Sequence, residues 1–274
     1  MSTSDNNNEK VDDLPDGAAQ TTRVARNIAR SAVAQASLAR ATQLACIALA
    51  FGRVGRATRH DDGVRVESDT DHTVMLGLVA CELAPPHLDR GHIAIFALVH
   101  DLAEVYAGDT QTLTITPEQM AAKRAREDAA RVRLCNELGP SSWIANALAV
   151  YEQQRLPEAR FVRLMDKVLP KLTHALNRCA AALPLTDRNG FSEAHTRQYN
   201  ALRLEYPDFP AVLDLLAVSM AHAEAQWPET PPTDLAAPNT QQALPSIDMD
   251  EAMRRHAAHA SNCDGACFDQ AAKR

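Results

Sequence analysis

The sequence predicts an all-α domain between two tails, and three features predict it. Aromatic residues make up only 4% of the 274-residue chain while Ala and Leu dominate, a balance that favours packed helices over a β-sandwich. Apolar residues recur at helical spacing through most of the text, with no convincing strands and no internal repeat. Residues 92–109, HIAIFALVHDLAEVYAGD, place Ile93, Ile95, Phe96, Leu98, Val99, Leu102 and Val105 on every side of a helical wheel, the pattern of a buried central helix.

Formal net charge is −7, and no basic run has the length that a nucleic-acid polymer requires. No uninterrupted apolar run approaches the roughly 20 residues of a membrane span. Residues 1–16 are polar and acidic, without the charged-then-apolar order of a secretion signal. Cys46, Cys81, Cys135, Cys179, Cys263 and Cys267 are scattered without the spacing of a zinc site or a disulfide framework, so they read as reduced thiols. A cytoplasmic protein that binds neither nucleic acid nor membrane is expected.

Residues 1–20 hold few large apolar groups and read as a disordered tail. Residues 21–51 give one or two helices, with Val24, Ile28, Val33, Leu38, Leu44, Ile47 and Leu49 as the apolar set. Gly52, Gly55 and Gly63 then break the pattern, and the Arg-rich text around them reads as a basic loop. Ser68, with Asp71 three residues on, starts the next helix as a near capping box, puts His72 in its first turn, and ends at Pro85-Pro86. After the 92–109 helix, stopped by Gly108, comes a loop over 110–116 and a charged, largely solvated helix from Pro117 to Leu138. A shorter helix covers 141–151. Pro157 opens another, through Asn177, in which Pro170 removes the amide that would bond the Asp166 carbonyl and so predicts a kink. Helices over 192–204 and 209–225 complete a domain at 21–226. Residues 227–274 form a Pro-rich flexible tail, with a short helix near 249–260.

Chemistry enters through residues that a buried helix should not carry. His100, Asp101 and Glu104 share an arc of about 100° in the 92–109 helix, and buried charges must be paired or bind metal. His72 and Asp166 lie near apolar positions of two further helices, Asp166 on the Phe161–Leu164–Val168 side. Two imidazoles and two carboxylates make a mixed nitrogen and oxygen shell suited to Mn²⁺, Co²⁺, Fe²⁺, Zn²⁺ or Ni²⁺ rather than Ca²⁺. The competing readings are a buried His100–Asp101 ion pair, and a surface pairing of Asp166 with Arg163 or Lys167.

His72, His100-Asp101 and Asp166 resemble the H…HD…D signature of the HD-domain metal-dependent phosphohydrolases. ESDTDH (67–72), HDLAEVYAGD (100–109) and YEQQRLPEARFVRLMDK (151–167) are similar to the 5′-deoxynucleotidase branch, over about residues 40–180. The resemblance implies an HD-type helical bundle with His72, His100, Asp101 and Asp166 as ligands of one divalent cation, Mg²⁺ being a further candidate. It implies Glu104 and Asp109 as catalytic carboxylates, one orienting the attacking water and the other protonating the departing oxygen; we assign Glu104 to the water. It implies an Arg on the phosphate, with Arg56 the nearest match and Arg59 its rival, ahead of Arg53 and Arg65. It further implies a nucleotide substrate and a homodimer. The branch pairs Arg with Trp in this loop, where the Trp helps sort the sugar, whereas GRATRHDDG contains no Trp; the resemblance therefore implies nucleoside 5′-monophosphates, 2′-deoxynucleotides among them, without fixing the choice of sugar.

The expected activity is metal-dependent removal of phosphate from nucleoside 5′-monophosphates. Two rivals stand beside it. One is an HD-type hydrolase of (deoxy)nucleoside triphosphates or alarmones. The other is a non-catalytic module that holds metal for structure, against which the presence of both Glu104 and Asp109 argues.

Overall fold

The computed structural model describes residues 16–229; the expected tail residues beyond them, the helix over 249–260, Cys263 and Cys267 lie outside the described residues. Backbone contacts divide the chain into Met1–Cys46 and Ile47–Arg274. The first unit contains most of α1 (Asp16–Phe51), one 36-residue helix that starts inside the stretch expected as tail. By length and composition Ile28–Phe51 would suffice to cross a bilayer, contrary to expectation, because Ala-rich text leaves Arg30 and Arg40 as its charged residues.

The second unit opens with a feature the sequence reading did not provide. Residues expected as a basic loop form an antiparallel hairpin of β1 (Gly55–Arg59) and β2 (Val66–Ser68), with Gly55 opposite Ser68 and Arg59 opposite Val66. Asp62-Gly63 makes the turn: Asp62 Oδ1 accepts from the amides of Val64 and Arg65, and Gly63 adopts φ 71°, a conformation suited to glycine. No apolar alternation announces these strands because their inward residues are polar. Thr58 and Glu67 are both buried, and Thr58 Oγ1 donates to Glu67 Oε2 at 2.6 Å.

Ser68 caps α2 (Asp69–Glu82) with the expected box: its side chain accepts from Asp71 N while Asp71 Oδ2 accepts from Ser68 N. The expected single helix over 92–109 is in fact two pieces, α3 (Arg90–Val99) and α4 (Glu104–Ala107). Between them the bonds shorten from four residues to three: Leu102 N to Val99 O, Glu104 N to Asp101 O, and Tyr106 N to Ala103 O. Such 3₁₀ tightening re-aims side chains within a few residues. Nor is α3 buried all round, since Ile95 is 38% and Leu98 54% exposed.

The helix buried on nearly every side is α7 (Pro157–Leu176), where Phe161, Val162, Leu164, Met165, Val168 and Leu169 have no exposed surface. It continues through Pro170 and packs against α2, α3 and α9 (Pro210–Ala225). The capped helix α5 (Pro117–Leu138) covers α4, and α6 (Trp143–Gln153) lies against α3. α8 (Arg188–Glu205), capped by Asp187, starts before the expected residue 192 and joins α9. Cys46, Cys81, Cys135 and Cys179 are free thiols, as read from the sequence.

A second apolar cluster around Phe191, Cys179, Ala175 and Ala223 encloses His174, whose ring lies edge-on to Phe191 at 5.5 Å. Burial, then Lys171 and His195, push the His174 pKa down to about 3. Unfolded, the imidazole titrates near 6.5. Between those values the folded chain binds fewer protons, so acidification destabilises it by up to about 1.4 kcal/mol per pH unit from this group. Melting curves between pH 6.5 and 4.5 should show a steeper acid-side decline for the native chain than for His174→Gln; parallel declines would contradict this.

Candidate metal centre

The capped first turn of α2 presents His72 between two carboxylates. Its Nδ1 lies 3.2 Å from Glu67 Oε1 on β2, and its Nε2 lies 2.9 Å from Asp166 Oδ1 on α7. His100 ends α3 and donates from Nδ1 to Ala97 O at 2.8 Å. A carbonyl can only accept, so in the neutral ring, the form that binds metal, Nε2 has its lone pair free. His100 Nε2 is buried, lies 2.9 Å from Asp101 Oδ2 and 3.9 Å from Asp166 Oδ1, and makes no hydrogen bond. Tyr151 closes the wall behind it, ring centroids 6.3 Å apart.

One donor atom each from His72, His100, Asp101 and Asp166 falls within 4.8 Å of all the others. Two nitrogens and two oxygens so placed fit a borderline divalent cation, and the orphaned Nε2 is a ready ligand. The remaining atoms of these side chains are tied as metal ligands require: His72 Nδ1 to Glu67, His100 Nδ1 to a carbonyl, and Asp166 Oδ2 to Lys167 Nζ at 2.7 Å. Asp166 thus pairs with Lys167 through one oxygen and turns the other toward His72 and His100.

A second acidic group adjoins the first. Oxygens of Asp69, Asp101 and Glu104 also lie within 4.8 Å of one another, and Asp69 Oδ2 and Glu104 Oε2 are buried without a hydrogen bond among the described residues. The hairpin enters here. Arg56 Nη1 donates to Asp69 Oδ1 and Asp101 Oδ2, each at 2.9 Å, and Ala57 N donates to Asp109 Oδ2 at 2.8 Å. Glu104 opens α4 with Lys123 of α5 3.9 Å away, and Gly108 at φ 68° ends that helix before Asp109. Arg59 is not brought to this cluster; its Nη1 donates outward to Val64 O.

Charge is badly balanced in this space. Burial, then Asp101, Asp109 and Asp69, hold the Glu104 carboxyl well above the usual range. Burial raises Asp69 to about 7 against the pull of Arg56, with Asp101 and Asp109 adding to the rise. Asp101 and Asp166 go the other way: burial opposes ionisation, and His100 and Arg56 overcome it for Asp101, Lys167 and His72 for Asp166. His72 rises to about 9, burial being outweighed by its bonds to Asp166 and Glu67. A divalent cation would relieve the acidic excess and release His72 Nε2 from its proton.

Glu67, Asp69, Lys123 and Lys167 were missed as parts of this centre. Glu67 and Asp69 stand in the ESDTDH text, but only a hairpin directs Glu67 at His72 and Asp69 at Arg56.

The fold and site together define a helical domain built around a buried imidazole–carboxylate centre. The HD-domain family model matches residues 52–207, and the chain belongs to the HD-domain family. It is 30% identical over 110 residues to the 5′-deoxynucleotidase hdd1 of Schizosaccharomyces pombe, covering 37% of this chain and 53% of that protein. To the 5′-deoxynucleotidase HDDC2 of Bos taurus it is 31% identical over 104 residues, 37% of this chain and 49% of that one. The Danio rerio HDDC2 gives 32% over 104 residues, covering 37% and 51%. The chain thus spans about half the length of the curated relatives it matches. A solved structure of a predicted metal-dependent phosphohydrolase from Magnetospirillum magnetotacticum superposes with a TM-score of 0.51 at 22% identity, over 68% of this chain and 96% of that one; it shares the fold.

Asp101→Ala should lose bound Mn²⁺ or Co²⁺, whereas Glu104→Ala should keep it, as read by elemental analysis after dialysis; equal loss would refute the division of roles. Glu67→Ala should weaken metal affinity by about 10- to 100-fold, because His72 loses the carboxylate that orients it. Competition with a chelator measures that shift, and an unchanged affinity would contradict it.

Proposed function

We propose that this chain is a metal-dependent phosphohydrolase that releases phosphate from nucleoside 5′-monophosphates. One observation carries the reading: a four-donor centre of His72, His100, Asp101 and Asp166 lies directly against Glu104 and Arg56, with Asp109 held on the neighbouring hairpin. A structural metal would need no such surroundings. The 5′-deoxynucleotidase relatives support the substrate class.

A divalent cation bound there would polarise a phosphoryl oxygen and acidify the attacking water. Arg56 uses one nitrogen on Asp69 and Asp101, and a guanidinium has five N–H donors, so the rest can meet phosphoryl oxygens. Glu104 Oε2 is buried and free, and a cation that offsets Asp101 and its acidic neighbours would let the carboxyl ionise, orient water and take its proton. Asp109, with one oxygen fixed by Ala57 N, is then the group to protonate the departing 5′-oxygen. Phosphoryl transfer is mostly such positioning and charge neutralisation. The exposed apolar residues Val74 and Leu78 of α2 with Ile95 and Leu98 of α3 suit a homodimer face.

Sugar selection is expected to be loose. Ala57 follows Arg56 where the similar branch carries Trp, and a methyl group builds no wall against a 2′-hydroxyl. With Mn²⁺ or Co²⁺, orthophosphate release should run with kcat/KM for ribo- and deoxyribonucleoside monophosphates within about tenfold of each other, roughly 1.4 kcal/mol. A metal-loaded protein that releases no phosphate from either set would refute the function. Tripolyphosphate or pyrophosphate as the product would favour the triphosphate or alarmone rival.

A further inference from the structure

One nitrogen of Arg56 serves two carboxylates that have different work to do. Its Nη1 donates at 2.9 Å to Asp101 Oδ2 and at 2.9 Å to Asp69 Oδ1. Asp101 Oδ2 also lies 2.9 Å from His100 Nε2, so it faces the four-donor centre. Asp69 belongs neither to that quartet nor to the pair Glu104 and Asp109, and its side chain has no exposed surface. The backbone holds it firmly: it is the first residue of α2, after the Ser68 cap, and its amide donates to Val54 O at 3.1 Å, just ahead of β1. Only one of its oxygens is used. Oδ2 is buried and accepts no hydrogen bond among the described residues. An anchor for one N–H group needs one oxygen, and a buried acceptor left without a donor is costly.

A cation and a guanidinium side by side repel, and here both draw on Asp101 Oδ2. A guanidinium is also a planar fork that can take both oxygens of one carboxylate through two parallel N–H groups. The idle Asp69 Oδ2 stands on the carboxylate that already holds Arg56 by Oδ1. We propose that Asp69 is the positioning residue for Arg56: with a cation on Asp101, both Asp69 oxygens hold the guanidinium, and its remaining N–H groups are fixed for a phosphoryl oxygen. Asp69 touches no substrate, and no covalent bond forms or breaks. It acts through Arg56, by taking over the hydrogen bond that Asp101 gives up. The phosphate contact rests on the phosphohydrolase reading, whereas the release of Asp101 rests on the metal centre alone.

Calorimetric titration of orthophosphate into the Mn²⁺-loaded full chain tests this without turnover. Asp69→Asn keeps an acceptor for one N–H group but sets an NH₂ group where Oδ2 stood. It also removes negative charge beside an anion site, which by charge alone would tighten phosphate binding. The proposal expects the opposite sign, about tenfold weaker binding, because Arg56 falls back on Asp101. Unchanged or tighter binding would overturn it. In an Arg56→Met background, Asp69→Asn should change phosphate affinity by less than about twofold, and a fully additive loss would overturn the proposal. No phosphate binding by the native chain, with Mn²⁺ bound, would instead overturn the phosphohydrolase reading and the phosphate contact with it. A crystal structure of the Mn²⁺-loaded native chain depends on no variant: it should show Arg56 on both Asp69 oxygens and off Asp101. Arg56 still on Asp101, or a second cation on Asp69, would overturn the proposal.

Discussion

Too many carboxylates share too little solvent around Arg56, and the rest of the molecule is arranged about that constraint. Asp69, Asp101, Glu104 and Asp109 face a single guanidinium, and Asp166 has Lys167 and His72. They cannot all ionise there unaided, which is why Glu104 and Asp69 are driven upward while Asp101 and Asp166 are driven down. A cation among the four close donors resolves the conflict at one point. Relief of that imbalance by a cation would leave Glu104 ionised and strongly basic beside the centre, able to take a proton from water.

Two parts of the second unit hold this frame. α7 is the hub: its apolar side is buried against α2, α3 and α9, and this fixes Asp166 without freedom to turn. The hairpin is the clasp. Through Arg56, Ala57 and Glu67 it reaches the acidic group, Asp109 and His72, and at its far end Asn177 Nδ2 donates to Arg59 O at 2.8 Å. Between hub and clasp, the 3₁₀ turn after α3 lets His100, Asp101 and Glu104 face one place.

The candidate quartet was legible in the sequence because charge inside apolar helical text has few physical explanations. His72, His100, Asp101 and Asp166 could be picked out on that ground, and the structure brings them together. The hairpin was not legible: its inward residues Thr58 and Glu67 satisfy each other, so no apolar alternation marks the strands. The Asp62-Gly63 turn was the available signal. The break after Val99 was hidden because the 92–109 text keeps helical composition while its hydrogen bonds shorten by one residue. Burial was misassigned for a similar reason. The apolar wheel of 92–109 looked more central than α7, whose Arg163, Lys167 and Lys171 interrupt its text although Leu164, Met165, Val168 and Leu169 between them are fully enclosed.

The central claim is that two imidazole nitrogens and two carboxylates bind one cation. Pulsed electron paramagnetic resonance on Mn²⁺-loaded protein with ¹⁵N-labelled histidine measures this directly. The account predicts hyperfine coupling from two histidine nitrogens, reduced to one in His100→Gln. Bound Mn²⁺ with no coupling to histidine nitrogen would place the metal elsewhere and contradict it.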